Sequence, residues 1–298
     1  MSSDCSMLIV GGNGFIGRHV AETARGSWTV HVAGHMPQAA HENAWQLDIT
    51  SPAAVRDVCE KSRPSVVVNL AAISDIDRCE RDPARARTVN VLGAENVAAE
   101  CARLGARLVF LSSAAVFDGH KHGYREDDPP NPLSVYGQTK LEAEKRIKEI
   151  TPSAVILRPA LVLGFGHGQG TNATLNKWLD LWKKGHPVTA PADEYRNPID
   201  ASTLAKILLF LAEHPASGAV YHVGALDSAS RYKIAQGVAK ALGYSSRLIL
   251  THTDSSADRA PRGRDHFLLT DRIRAICHIA LGRIDDVVRR SLNELAQA

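Results

Sequence analysis

Tyr136 and Lys140 stand four residues apart in the stretch "SVYGQTK", residues 134 to 140. On a helix this spacing puts both side chains on one face, one turn apart. The chemistry open to such a pair is proton transfer. A free phenol, with a pKa near 10, lies about three units, or roughly 4 kcal/mol, from half ionisation at neutral pH. An ammonium beside it in a partly desolvated site lowers such a pKa by about 1–3 units. Ser112 and Ser113 in "VFLSSAAVF" add hydroxyls that can hold and orient a reacting oxygen. Gly11, Gly14 and Gly17 in "IVGGNGFIG" add a loop of the kind that cradles phosphate. None of these signals is specific alone; their order along one chain is.

Such groups act together only if regular elements bring them together. "SMLIVGG", "WTVHVAG", "SVVVNLAA", "ARLVFLSS" and "SAVILRPALVLG" read as buried strands. Between them, residues 15 to about 25, "SPAAVRDVCEKSRP", "DPARARTVNVLGAENVAAECARLG" and "LSVYGQTKLEAEKRIKEI" read as helices, the third a single long one ended by Gly105. Strands apolar on both faces and separated by helices predict an α/β fold with a doubly wound parallel sheet. The carboxyl ends of such strands share one edge, where ligands bind. The glycines follow the first strand, the serines end the fourth, and Tyr136 and Lys140 open the next helix.

Each glycine has a separate task in a phosphate loop. The first lets the chain turn, the second admits a pyrophosphate, and the third lets helix and strand pack closely, so that helix N–H groups face the anion. An NAD-binding strand usually ends in an Asp or Glu for the adenosine ribose. Here "VHVAGHMPQ" has no acid before Glu42. Arg18 and His35 can pair with a 2′-phosphate instead, so the sequence favours NADP(H) over NAD(H). Asp48 in "LDIT" either meets the adenine edge or caps the following helix. Beyond Leu163 the rhythm changes, with a Gly-rich loop, helices near 230–242 and 285–296, and a polar segment over 251–265. The expected organisation is a dinucleotide-binding domain over 1–162, to which 196–218 returns, and a smaller C-terminal α/β substrate-binding cap over 163–298.

Bulk properties exclude other classes. The 298 residues carry a net charge of +3, and the Arg-rich stretches "RCERDPARAR" and "DRAPRGRD" are interleaved with acids, so no nucleic-acid partner is expected. Five Cys without metal spacing and thirteen scattered His predict no metal site and reduced thiols. With no signal-peptide pattern and no apolar run of about eighteen residues, a cytoplasmic protein without membrane contact is expected.

The motifs "GGNGFIG", "VVNLAA" with "DIDRCE", "TVNVLGAENV", "LSSAAVFDG", "YREDDPPNPLSVYGQTKLEAE", "RPALVLG" and "NPID" follow one another in this chain. In them it resembles the extended short-chain dehydrogenases/reductases, most closely their dTDP-4-dehydrorhamnose reductase branch. The resemblance spans nearly all of 7–225, is most specific over 106–160, and fades in the C-terminal segment. It implies a Rossmann fold and NAD(P)H-dependent reduction of a 4-keto group on a nucleotide-linked deoxysugar. Tyr136 would protonate the forming alkoxide, Lys140 would supply charge and hold the nicotinamide ribose, and Ser113 would orient the substrate oxygen. Further cofactor contacts are implied for Asn13, Phe15 and Ile16 in the loop, for Ile49, for Leu70, Ala71 and Ala72, and for Asn90, Ser112 and Pro159. Ser113, Ala114, Asn172 and Arg262 would meet the substrate, Arg262 with Arg259 and Arg264 at its diphosphate. The resemblance is compatible with a homodimer.

Departures from the family leave the substrate open. Ala114–Ala115 replaces an Asp–Tyr common in the branch, and the aromatic that often follows the fifth strand is missing from "RPALVLG". The same alanines argue against a sugar dehydratase, which carries Asp–Glu there. No Cys accompanies Ser113, as a GDP-fucose-synthase-like epimerase requires. The remaining alternatives are a sugar 4-epimerase, an oxidoreductase of another carbonyl compound, and a non-catalytic regulatory subunit like that of methionine adenosyltransferase, which shares this branch.

Overall fold

The computed structural model describes residues 5–35, 43–166, 173–214, 218–252, 259–293 and 295. Its centre is a seven-stranded sheet in which every neighbouring pair is parallel. Six strands come from the first half: β1 (Ser6–Val10), β2 (Thr29–Gly34), β3 (Ala44–Gln46), β4 (Val66–Asn69), β5 (Arg107–Leu111) and β6 (Val155–Pro159). The seventh, Val220–Val223, lies beside β6 at one edge, and β3 closes the other, in the order Val220–Val223, β6, β5, β4, β1, β2, β3.

Alternation along the strands explains the two-sided cover. Met7 and Ile9 of β1 face one apolar cluster, while Leu8 and Val10 face another. The first cluster is closed by helix α1 (Phe15–Ala24) and by Ala201–Glu213. The second is closed by α2 (Pro52–Ser62), α5 (Gly93–Leu104) and α6 (Val135–Ile150). A third cluster, with Trp178, Trp182, Ile234 and Val238, forms the core of the C-terminal part. Among the described residues, no helix is long and apolar enough to cross a membrane.

Two elements differ from the sequence reading. Short β3 falls in "ENAWQLDIT", which offers too little apolar pattern to announce a strand. The single long helix expected over "DPARARTVNVLGAENVAAECARLG" is interrupted. It is α4 (Pro83–Arg87), a π-helical turn at Thr88–Leu92, then α5, which ends at Gly105 with φ +67. A short helix α3 (Ile76–Arg81) precedes α4. The π turn carries Asn90, whose amide accepts from Ile73 N (2.7 Å) and donates to Ile73 O and Thr139 Oγ1 (both 3.1 Å).

The approach to α6 is tied by a carboxylate. Asp118 Oδ1 accepts the Tyr124 hydroxyl (2.5 Å) and His120 N (3.1 Å), and Oδ2 accepts Asn131 Nδ2 (3.0 Å). These bonds, the Tyr124 one foremost, hold the Asp118 pKa down to about 2. The ionised form therefore stabilises the fold above the unfolded value near 3.9, and that contribution is lost as pH falls toward the folded value. Urea unfolding should show wild type losing about 1 kcal/mol more than Asp118→Asn between pH 6 and pH 3. Identical losses in the two proteins would show that the carboxylate is not the linkage.

Candidate active site

A cleft of about 740 Å3 opens along the carboxyl edge of the sheet, against the C-terminal part. Because all strands are parallel, the loop after β1, the residues after β4 and the ends of β5 and β6 all reach it. The loop after β1 is built for close approach. Gly11 has φ +80, and a Cβ there would lie 2.8 Å from Ala71 N; at Gly17 it would lie 2.4 Å from Gly11 O. Gly14 begins α1 with no side-chain cap and no acid in the first turn, which leaves helix N–H groups for an anion. This cradle, which any Cβ would fill, fits a dinucleotide pyrophosphate.

Asn13, Phe15, Ile16, Arg18, His35, Leu70, Ala71, Ala72, Ser112 and Pro159 also line the cleft. Arg18 leans back on the loop, its Nε donating to Asn13 O at 3.3 Å. Three expected contacts do not line it. Asp48 turns to its own chain, accepting from Thr50 N (2.9 Å) and Thr50 Oγ1 (2.7 Å), and the cap of α2 is Ser51 instead, through Ala54 N. The Thr50 bonds hold the Asp48 pKa below the usual carboxylate value. Ile49 is buried in the core under α5. Asn90, 1% exposed, stitches the segment after β4 to α6 and supports the site from behind.

Ser113 and Tyr136 both line the floor of the cleft, near enough for the serine hydroxyl to act on the phenol. Local structure sets this up. Ser113 caps the 3-10 turn Ala114–Val116 through Ala115 N (3.1 Å), and Ser134 caps α6 through Gly137 N (3.2 Å). Gly137 lets the two turns touch, since a Cβ there would lie 2.1 Å from Ala115 O. Lys140 follows one turn on, 2% exposed, donating to Leu111 O at 2.6 Å with its Nζ 4.0 Å from the Phe110 ring centroid.

Burial moves these two groups in opposite directions. Desolvation pushes the Tyr136 phenol up to about 12, against the opposing bond from Ser113. It pushes Lys140 down to about 7, against the opposing charge of Glu144. The lowered phenol expected from the spacing is thus not what the structure has: loss of water outweighs the lowering influence of Ser113. Two other expectations change. Ser112 lines the cleft, but its hydroxyl donates to Glu144 Oε1. Ala114 is fully buried, and Ala115 is the alanine that lines the cleft. Asn172 lies outside the described residues.

The wall opposite the sheet carries charge that the sequence motifs did not single out. Lys177, Glu194, Arg196, Arg231 and His266 line it along with Arg262. Arg262 donates to Asp77 Oδ2 (2.9 Å) and to Ala260 O, fixing its loop across the cleft. Arg259 pairs with Glu194 at 2.7 Å, whereas Arg264 is 76% exposed and points away. Arg196 donates to the carbonyls of Tyr195, Gly263 and Arg264, and burial lowers its pKa to about 10. His266 donates from Nε2 to Phe117 O (3.1 Å), and burial keeps it neutral, with a pKa down to about 3. Among the described residues, no cluster of His, Cys, Asp and Glu could hold a metal.

Comparison with known proteins places this geometry. Residues 5–297 match the RmlD substrate binding domain. Methionine adenosyltransferase 2 subunit beta of Xenopus tropicalis is 31% identical over 273 residues, covering 86% of this chain and 77% of that protein. dTDP-4-dehydrorhamnose reductase of Mycolicibacterium smegmatis is 30% identical over 258 residues, covering 86% and 74%. The crystal structure of dTDP-4-dehydrorhamnose reductase from Bacillus anthracis, in complex with NADP, superposes with a TM-score of 0.87 at 23% identity, covering 97% of this chain and 99% of that one.

The loop makes a direct prediction. Gly17→Ala forces a Cβ against Gly11 O, and overpacking of this kind costs about 1–3 kcal/mol, so dinucleotide affinity should fall roughly tenfold or more. Titration of a folded variant with NADPH and NADH by fluorescence checks this, and wild-type affinity would count against the cradle.

Proposed function

The chain belongs to the family of the RmlD substrate binding domain, within the dTDP-4-dehydrorhamnose reductase branch of the extended short-chain dehydrogenases/reductases, and from that premise we propose that it reduces, with NADPH, the 4-keto group of a nucleotide-linked deoxysugar. The observation that carries this reading is that Ser113, Tyr136 and Lys140 line the same cleft as the phosphate loop.

A bound nicotinamide supplies the hydride. On this reading Ser113 holds the carbonyl oxygen, and Tyr136 gives its phenolic proton to that oxygen as it becomes an alkoxide. The high pKa of the buried phenol keeps it in the protonated form that reduction needs at neutral pH. The Lys140 ammonium stabilises the phenolate left behind. Arg231 and Arg262 on the opposite wall suit the diphosphate of a nucleotide sugar; the buried Nε of Arg231 has no hydrogen-bond partner among the described residues. Arg18 and His35, with no acid at the end of β2, suit the 2′-phosphate of NADPH.

A regulatory role is the second reading, favoured by the 31% identity to a methionine adenosyltransferase subunit. A panel of nucleotide-linked 4-keto sugars with both cofactors separates the two. The reductase reading expects turnover that Tyr136→Phe lowers by about 10²–10⁴-fold while NADPH still binds. No turnover by wild type, combined with stable association with a methionine adenosyltransferase catalytic subunit, would overturn it. Arg18→Ala should weaken NADPH roughly tenfold, the worth of one charge-assisted contact, and leave NADH unchanged; equal losses for both would remove the 2′-phosphate argument.

A further inference from the structure

We propose that Glu144 is a positioning residue of the active site: it fixes the Ser112–Ser113 strand end and, one turn from Lys140, holds that lysine in its ammonium form. The inference rests on the reductase reading above, and it concerns a residue that lies outside the cleft.

Glu144 is 4% exposed and sits at the third step of a single face of α6, Tyr136, Lys140, Glu144, spaced i, i+4, i+8. Its carboxylate is fully engaged. Oε1 accepts the Ser112 hydroxyl and Arg158 Nε (2.9 Å), and Oε2 accepts Arg158 Nη2 (2.5 Å). A bidentate pair of this kind fixes the plane of the carboxylate as well as its place. Ser112 ends β5 and is the residue before Ser113, so the carboxylate anchors the backbone that presents the Ser113 hydroxyl. Ser112 N in turn donates to Leu157 O (2.8 Å), next to Arg158 on β6. The helix face and the two strand ends are therefore tied at one carboxylate.

The electrostatic half follows from what else is nearby. Lys140 has a carbonyl and an aromatic ring for direct partners, neither of which carries a full negative charge. Glu144 is the charge that works against its desolvation. Lys148, one turn beyond Glu144 on α6, is a second cation that feels the same carboxylate; the remaining titratable groups are silent or opposed. Tyr136 is protonated, the Cys79 thiol of α3 is pushed up to about 11, and His222 of the seventh strand, beside Arg158 in register, is held neutral with a pKa down to about 3. Arg158 opposes a second cation, and it is held on Glu144 through Nε and Nη2.

The test follows the titration of Lys140 in [ε-13C]lysine-labelled full-length protein by NMR, with the signal assigned by Lys140→Met. Glu144→Gln should lower the Lys140 midpoint by about one pH unit or more, the usual effect of losing a close opposite charge. Because the single change leaves Arg158 buried against an amide, Glu144→Gln/Arg158→Met is made beside it, since removing both charges is tolerated better than removing one. The same downward shift is expected there. A midpoint unchanged in both variants overturns the electrostatic role. Ser112→Ala keeps the charge and should lower kcat at least tenfold with the Lys140 midpoint unmoved; unchanged kcat overturns the positioning role. Absence of keto-sugar turnover in wild type refutes the reductase reading, whereas the NMR midpoints judge the electrostatic role without any turnover.

Discussion

The site depends on keeping a lysine out of water. Lys140 is 2% exposed, and an isolated ammonium at that depth would shed its proton. It is kept near balance by a carbonyl, an aromatic face and the charge of Glu144. The first two are supplied by the register of α6 against β5, and the third by α6 itself. Successive residues of a helix are turned by about 100°, so a one-residue slip would point Lys140 into another environment and take Tyr136 from Ser113. The start of α6 is therefore fixed twice, by the Ser134 cap and by the contact that Gly137 permits with Ala115 O.

The opposite displacements of Tyr136 and Lys140 set the protonation state in which the site rests. A phenol near 12 is a poor base at neutral pH and a ready acid toward an alkoxide, which is more basic still. Oxidation of an alcohol would need the reverse, a phenol already ionised. On the proposed reading, burial therefore prepares the protein for reduction, and the lysine acts on the phenolate that the step leaves behind. The spacing of Tyr136 and Lys140 alone suggested a lowered phenol because it counts the charge and omits the lost water.

What was legible in the sequence was whatever a parallel sheet makes inevitable. Gly11 to Gly17, Ser113 and Tyr136 lie far apart in the chain, yet each follows a strand whose carboxyl end must reach one edge. Residues whose role is set by tertiary contact were not legible. Asp77 and Arg262 meet across 185 positions, and no local pattern announces the pairing. Asn90 sits in a π turn inside what reads as continuous helix, so its aim toward Ile73 could not be inferred from helical periodicity. Asp48 had two chemically sound roles, and the structure gives the helix cap to Ser51 and turns Asp48 onto Thr50. Glu144 is one of several acids on α6, and only the placement of Arg158 opposite it on β6 gives it a tertiary partner.

The wall opposite the sheet carries the remaining argument about specificity. Lys177, Arg196, Arg231 and Arg262 line the cleft there with Glu194. Glu194, 2% exposed, is shared by Arg196, Arg231 and Arg259, so one carboxylate answers several guanidinium groups. Arg196 spends its N–H groups on backbone carbonyls of the 263–264 loop and acts as its clasp. Arg262, carried by that loop, is then held to Asp77 on the far side. Positive charge in partly buried surroundings is costly until an anion completes it. On the proposed reading, a wall so arranged suits a substrate that brings negative charge of its own, with the apolar stretch around Ala115, Phe117 and Leu161 left to meet its uncharged end.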